Sequence, residues 1–222
     1  MVYKSLVNCY GGGSAVAKRA TWKERTRVYF ADVAGRQAEL QRTLAAQFPS
    51  PGELVWEVGC GHGHFLTAYA AQWPERACVG VDILRDRIAR AERKRVRARL
   101  ERLRFLQADA NEFLAALPAH VTLKEIFVLF PDPWPKRRHH KNRIMQQAFL
   151  AAVAARAGQG ARLFFRTDHA EYFASALHAL NDPRSGWRVS TDVAWPLDLP
   201  TVFQQKAPVY YSVVATRLES PP

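Results

Sequence analysis

Leu54-Val55-Trp56-Glu57-Val58-Gly59-Cys60-Gly61-His62-Gly63 is an apolar run that ends on a carboxylate and three alternate glycines. Leu54 to Val58 reads as a short buried strand, and His64 to Gln72, closed by Trp73-Pro74, reads as the helix behind it. A strand that turns into a helix through glycines opens an α/β unit. Glycine tolerates the positive φ of so tight a turn and lets a ligand approach the backbone. The spacing is Gly-x-Gly-x-Gly with His64 in the sixth position, where a dinucleotide fingerprint wants Gly or Ala, so a pyrophosphate cradle is the weaker fit.

Outward from this unit the pattern alternates. Ala77 to Val81, Leu103 to Leu106, Ile126 to Phe130 and Ala161 to Arg166 read as strands. Asp86 to Leu100, Asn111 to Leu117, Lys141 to Ala155 and His169 to Leu180 read as the intervening helices, the third of them long. Trp187 to Asp192 and Val209 to Thr216 are two final strands with no helix between them, and Gln37 to Gln47 is a helix stopped at Phe48-Pro49-Ser50-Pro51-Gly52. Such alternation predicts an α/β fold: a Rossmann-like, doubly wound, mostly parallel sheet of about seven strands with an antiparallel edge strand and helices on both faces. Residues 1–20, with Gly11-Gly12-Gly13-Ser14, are expected to form a flexible basic arm, and residues 21–222 one domain. Trp22 to Phe30 sets Lys23, Arg25 and Arg27 among aromatics, either as a basic lead-in to the substrate or as a segment packed on the domain.

The chain of 222 residues carries a formal charge of +12. Its pI near 10.1 gives a surface that attracts polyanions or serves solubility alone. Cys9, Cys60 and Cys78 show no C-x-x-C spacing, so neither a disulfide framework nor a metal site is expected. No stretch has signal-peptide character or membrane-spanning length, which predicts a soluble cytoplasmic protein with no membrane partner. Monomer and homodimer remain equally open.

Carboxylates recur where ligands bind in an open α/β sheet, outside the carboxyl ends of the strands. Glu57 ends the first strand, Asp82 the second, and Asp109 follows the third with Ala110 behind it. Asp82 can accept both hydroxyls of a ribose, Asp109 offers an acceptor to an adenine edge, and Glu57 faces a cationic group. Each acid alone reads equally well as a helix cap or a solvated loop residue, and Asp82 and Asp109 both precede helices. Together with a glycine loop that contains no phosphate-binding lysine, they suit a nucleoside ligand bearing a cation, such as S-adenosylmethionine.

After the fourth strand comes Phe130-Pro131-Asp132-Pro133-Trp134-Pro135-Lys136-Arg137-Arg138-His139-His140-Lys141-Asn142-Arg143. Proline ends the ladder here and leaves Asp132 at the strand's carboxyl end. Trp134 reads as a base-stacking platform or a packed lid. His139 and His140 are better placed for phosphate than for metal.

This stretch closely resembles the signature of the tRNA (guanine-N7)-methyltransferases. Glu57 to Gly63 resembles that family's first motif, and Gly80-Val81-Asp82 stands where the family usually has Glu. Asp109-Ala110 and Arg166-Thr167-Asp168-x-x-x-Tyr172 resemble its third- and fifth-strand motifs. The resemblance implies S-adenosylmethionine held by Glu57, Gly59, Gly61, Gly63, Asp82, Asp109, Ala110 and Asp132. It implies Asp132 as the catalytic residue, and Lys136 and Asp168 as substrate contacts. It also implies tRNA as partner, with 7-methylguanosine formed at position 46 of the variable loop. The family closes on Thr-Lys-Phe-Glu, whereas the substrate-binding positions here are Thr201, Val202, Phe203 and Gln204, so a charged pair has been lost. The alternative that this departure raises is an RNA-binding protein that keeps the fold with an altered substrate or without catalysis.

Guanine N7 carries a lone pair and no proton, so its methylation needs positioning and charge rather than a general base. Asp132 then either stabilises the charge that develops on the purine or accepts hydrogen bonds from the guanine N1 and N2 edge. Between Arg85 and Arg104, ten basic residues stand against three acidic ones, a density that suits a phosphate track.

Overall fold

A computed structural model describes residues 33–197 and 209–218. The basic arm expected over residues 1–20, the aromatic lead-in over 22–30, and Thr201, Val202, Phe203 and Gln204 lie outside the described residues. In chain order the elements are α1 (Val33–Gln47), β1 (Gly52–Val58), α2 (His64–Gln72), β2 (Ala77–Asp82), α3 (Arg85–Arg97), β3 (Leu103–Gln107) and α4 (Ala110–Ala116). There follow β4 (Val121–Leu129), a 3₁₀ helix (Arg137–Asn142), α5 (Gln147–Arg156), β5 (Ala157–Thr167), α6 (Ala170–Asn181), a short 3₁₀ turn (Pro183–Ser185), β6 (Trp187–Ser190) and β7 (Tyr211–Arg217).

The seven strands form one sheet in the order β3-β2-β1-β4-β5-β7-β6. Strand β1 lies parallel to both β2 and β4, so the chain winds outward to β3 and then crosses back to start β4. That reversal creates the switch-point crevice at the carboxyl ends of β1 and β4, on which the glycine loop opens. The fold class agrees with the sequence reading. Its antiparallel member, β7, is inserted between β5 and the edge strand β6.

Both faces of the central strands are apolar, and alternate residues serve different layers. Leu54, Trp56 and Val58 of β1 join one core cluster with Ile126, Val128, Leu163 and Phe165. Val55, Phe127 and Phe164 point to the other, where Phe65, Tyr69 and Phe105 lie. Trp56 stacks on Phe113 at 4.9 Å, and Phe127 on Phe164 at 4.8 Å. Each such ring contributes about 1.5–3 kcal/mol through burial.

Two expectations change. Strand β4 starts five residues before Ile126, because Lys124 and Glu125 hide an extended register in which Glu53 opposes Thr122. Glu125 is buried with a 2.6 Å hydrogen bond from the Tyr69 hydroxyl. The long helix expected from Lys141 to Ala155 is instead a 3₁₀ turn, a break and a shorter α5. Gln146 causes the break: its Nε2 donates to the carbonyls of His140 at 3.2 Å, Lys141 at 2.8 Å and Arg143 at 2.7 Å, which would otherwise take helical N–H groups. The Met145 N–H is diverted to the Tyr172 hydroxyl at 3.1 Å.

The glycine loop is locked from beneath. Gly63 has φ +68, and a Cβ there would lie 2.5 Å from Phe105 and 2.7 Å from Ala91 of α3. Gly63→Ala is therefore expected to cost about 1–3 kcal/mol through positive φ and overpacking together, measured as a lowered midpoint in urea denaturation. Gly80 has the same role in β2, because a Cβ would meet Phe105 at 2.7 Å.

Candidate active site

Strands β1 to β5 deliver one acid each, at or just past the same edge of the sheet. Glu57, on β1, is buried, and its Oε2 has no hydrogen-bond partner. Burial pushes its carboxyl up to about 8, opposed in part by the Leu66 backbone and reinforced by Asp82. A lone buried carboxyl oxygen beside an open loop is a costly arrangement, which a cationic ligand would relieve.

Asp82 ties the loop to the next helix. Its Oδ1 accepts the Leu84 N–H at 2.8 Å, its Oδ2 accepts the Gly61 N–H at 3.1 Å, and Arg87 Nη1 lies 3.2 Å from Oδ2. Helix α3 grips the loop again through Lys94, whose ammonium donates to the His62 carbonyl and lies 3.1 Å from His64 Nε2. Partial burial, and then Lys94, hold the His64 imidazole below its ordinary range. At Gly59 and Gly61 a Cβ would meet nothing within 4 Å, so the loop's outer surface is open.

Asp109 is the N-cap of α4: it accepts the Asn111 N–H at 2.9 Å and forms a capping box with Glu112. Of the two readings of this acid the structure displays the cap, with Ala110 buried behind it. Asp168 is exposed just after β5, and the neighbouring His169 caps α6 by accepting the Tyr172 N–H at 3.2 Å.

The turn after β4 is strained. Phe130 and Trp134 adopt φ +49 and +45, a region that bulky residues rarely enter, at roughly 1–3 kcal/mol each. Two contacts hold the turn on its flanks. The Phe130 N–H donates to the Arg166 carbonyl at 2.8 Å, and Arg143 Nε donates to the Pro133 carbonyl at 2.8 Å. Between them Asp132 is exposed at the sheet edge, while Lys136 heads the 3₁₀ helix that displays Arg137, Arg138 and Lys141. Trp134 is half-buried and meets His139 edge-on at 5.9 Å.

Sequence reasoning missed the weight carried by Arg143, Arg87 and Arg166. Arg143 is buried, stands over the Tyr172 ring at 5.0 Å, and reaches Ser175 Oγ at 3.4 Å and His140 Nε2 at 3.0 Å. In the sequence it appears only as the last residue of the stretch quoted after the fourth strand, immediately before the apolar pair Ile144-Met145. Arg166 lies 3.7 Å from the Trp195 ring centroid and 5.1 Å from that of Tyr210, so it pins together the two described ends of the β6–β7 connection. Removing the Arg143 fork releases the Pro133 carbonyl. Arg143→Ala is expected to lower turnover at this site about tenfold to a hundredfold while Arg143→Lys recovers part of it, read as kcat at saturating substrate. Among the described residues there is no metal-holding cluster, and no helix is long and apolar enough to cross a membrane.

Glycine loop, switch point and sheet order together define a methyltransferase-type Rossmann-like architecture, and solved structures share it. An rRNA methylase from Streptococcus thermophilus superposes with TM-score 0.52 at 10% identity, over 84% of this chain and 96% of that one. A structure titled an antibiotic-related methyltransferase gives 0.55 at 17% identity, over 79% and 92%. At that identity the likeness concerns the fold alone. A family model described as "Putative methyltransferase" matches residues 51–204. A protein of Hyphomonas neptunium named tRNA (guanine-N(7)-)-methyltransferase is 36% identical over 68% of this chain and 69% of its own length. Those of Nocardia farcinica and Alkalilimnicola ehrlichii are 38% and 35% identical over 57% and 66% of this chain. The chain belongs to this methyltransferase family, that of the tRNA (guanine-N(7)-)-methyltransferases. Its match spans 47% and 60% of the length of the Nocardia and Alkalilimnicola relatives.

Proposed function

We propose that this chain transfers a methyl group from S-adenosylmethionine to N7 of a guanine in tRNA, in the cytoplasm, with the variable-loop guanine as target. The observation that carries this reading is the unpartnered buried carboxyl oxygen of Glu57 beside a glycine loop with open space at Gly59 and Gly61. A ligand that brings a cation to that oxygen and a sugar to Asp82 fits both. When bound, S-adenosylmethionine supplies an electrophilic methyl group on a sulfonium centre.

Each residue then has a defined task. Glu57 pairs with the ligand's positive charge. Asp82 has about four acceptor positions, of which Gly61, Leu84 and Arg87 occupy three, so one ribose hydroxyl is accepted directly and a second when Arg87 swings aside. Asp109 and Ala110 line the base end, with Asp109 already held by its cap. Asp132, offered at the strained turn, stabilises the positive charge that the purine gains as its lone pair forms the new bond. No residue is asked to remove a proton, since N7 carries none. Lys136 and Asp168 flank Asp132 on the neighbouring segments and contact the RNA, as do Thr201, Val202, Phe203 and Gln204.

The test is incubation of the protein with unmodified tRNA and labelled cofactor, followed by mapping of the label. Label in 7-methylguanosine supports the reading, and label at another nucleoside or none at all overturns it.

A further inference from the structure

Helix α3 has two working faces. One faces inward, where Ala91 is buried, Arg87 reaches Asp82 and Lys94 holds the His62 carbonyl. On the same side Arg95 is paired with Glu92 at 2.7 Å, and Glu92 Oε1 accepts the Phe105 N–H at 2.9 Å. The other face exposes Arg90, Arg93 and Arg97, which fall at helical spacing on one stripe about 10 Å long. Beyond the helix Arg99 and Arg102 continue the exposed line. Among the described residues no carboxylate forms an ion pair with any of these five, while Arg87 and Arg95 on the inner face both have one.

The stripe leads to a definite place. Helix α3 begins beside Asp82 at the carboxyl edge of the sheet and delivers the chain to the start of β3 at the opposite edge. There Arg102 lines a groove of about 500 Å³, together with Arg76, Lys124 and Arg162. The groove's acids are already engaged: Glu53 with Lys124 at 3.0 Å, Glu75 with Arg76 at 3.7 Å, and Glu125 with Tyr69 and Arg76. Arg102 and Arg162 form no ion pair with a described carboxylate, and the groove's four cations outnumber its three acids by one.

We propose that Arg90, Arg93, Arg97, Arg99 and Arg102 form a sugar-phosphate track. It carries an RNA arm from the mouth of the active site around the β3 edge to this groove at the far pole of the sheet. Like charges at successive turns of one helix face repel one another, and a phosphate backbone relieves that repulsion along the whole stripe. The track extends the proposed tRNA reading by giving the RNA outside the target base a place to lie. Since α3 also holds the glycine loop and Asp82, one helix braces the cofactor end on its inner face and the nucleic acid on its outer face.

The experiment measures binding of an unmodified tRNA transcript to the full chain, without cofactor, between about 50 and 200 mM salt. For R93A/R97A/R102A the slope of log affinity against log salt is expected to shrink by about 2–3, with calorimetric S-adenosylmethionine affinity unchanged. R188A removes an exposed arginine on the edge strand β6, at the opposite side of the sheet, and is expected to leave the slope as it is. An unchanged slope in the triple variant overturns the track, as does an equal loss per arginine in R188A. So does loss of binding to phosphatidylserine vesicles without loss of tRNA binding. A reduced slope with no 7-methylguanosine formed supports the track while overturning the proposed reaction. 7-Methylguanosine formed by both proteins at an unchanged slope does the reverse.

Discussion

Asp132→Asn is expected to lower methyl transfer to tRNA by about 10²–10³-fold, with RNA affinity and folding nearly unchanged. The substitution keeps the shape of the side chain and removes its charge. Asp132 is exposed, so it supports no core packing and its loss leaves no buried group unpaired. What the structure invests at this point is conformational: Phe130 and Trp134 are held at positive φ, with Arg143 and the Arg166 carbonyl as clamps. Strain of that kind persists where neighbours over-determine the backbone, as they do here. Single-turnover rates with cofactor and RNA both saturating isolate the chemical step. Near wild-type turnover in the Asn variant would remove Asp132 from the reaction.

Glu57→Gln should separate stability from binding. In the ligand-free fold, burial pushes the Glu57 carboxyl up to about 8, whereas its ordinary value is 4.5. The folded protein therefore keeps a proton that the unfolded chain gives up. This term's stability is fully present below pH 4.5, is lost progressively as pH rises through about 8, and levels off beyond. Gln is neutral throughout, so the variant should be more resistant to urea than the wild type at pH 8, by up to a few kcal/mol, and the two should converge near pH 4.5.

Affinity for S-adenosylmethionine runs the other way. Loss of a charge-assisted partner in a buried setting should weaken binding by about tenfold to a hundredfold. Because a cationic ligand selects the ionised carboxylate, wild-type binding should release a proton below pH 8, visible as a buffer-dependent calorimetric enthalpy. Its affinity should rise with pH up to that point. Equal proton release in wild type and variant would show that the cation sits elsewhere.

Much of this was readable from residue order. Glycine at 59, 61 and 63, acids closing successive apolar runs, and prolines cutting off the fourth strand are local signals, and they located the switch point and Asp132. The long helix read after that turn failed for a local reason with a distant cause. Lys141 to Ala155 has helical composition, but Arg143 is drawn to the Pro133 carbonyl and the Met145 N–H to Tyr172, a residue 27 positions further along the chain. Strand β4 was read too short because Glu125 looked like a surface residue until its partner, Tyr69, arrived from a helix 56 positions away.

The sequence by itself determined the α/β alternation, the place of the glycine loop and the acids at the strand ends. These depend on hydrophobic periodicity and backbone stereochemistry, which act between near neighbours. Only the tertiary structure decided that the Glu57 oxygen is left without a partner, that Asp82 is shared among two N–H groups and Arg87, that Arg143 clamps the turn after β4, and which arginines of α3 remain uncompensated. Burial and pairing are properties of groups brought together from distant parts of the chain, and no local pattern records which of them will meet.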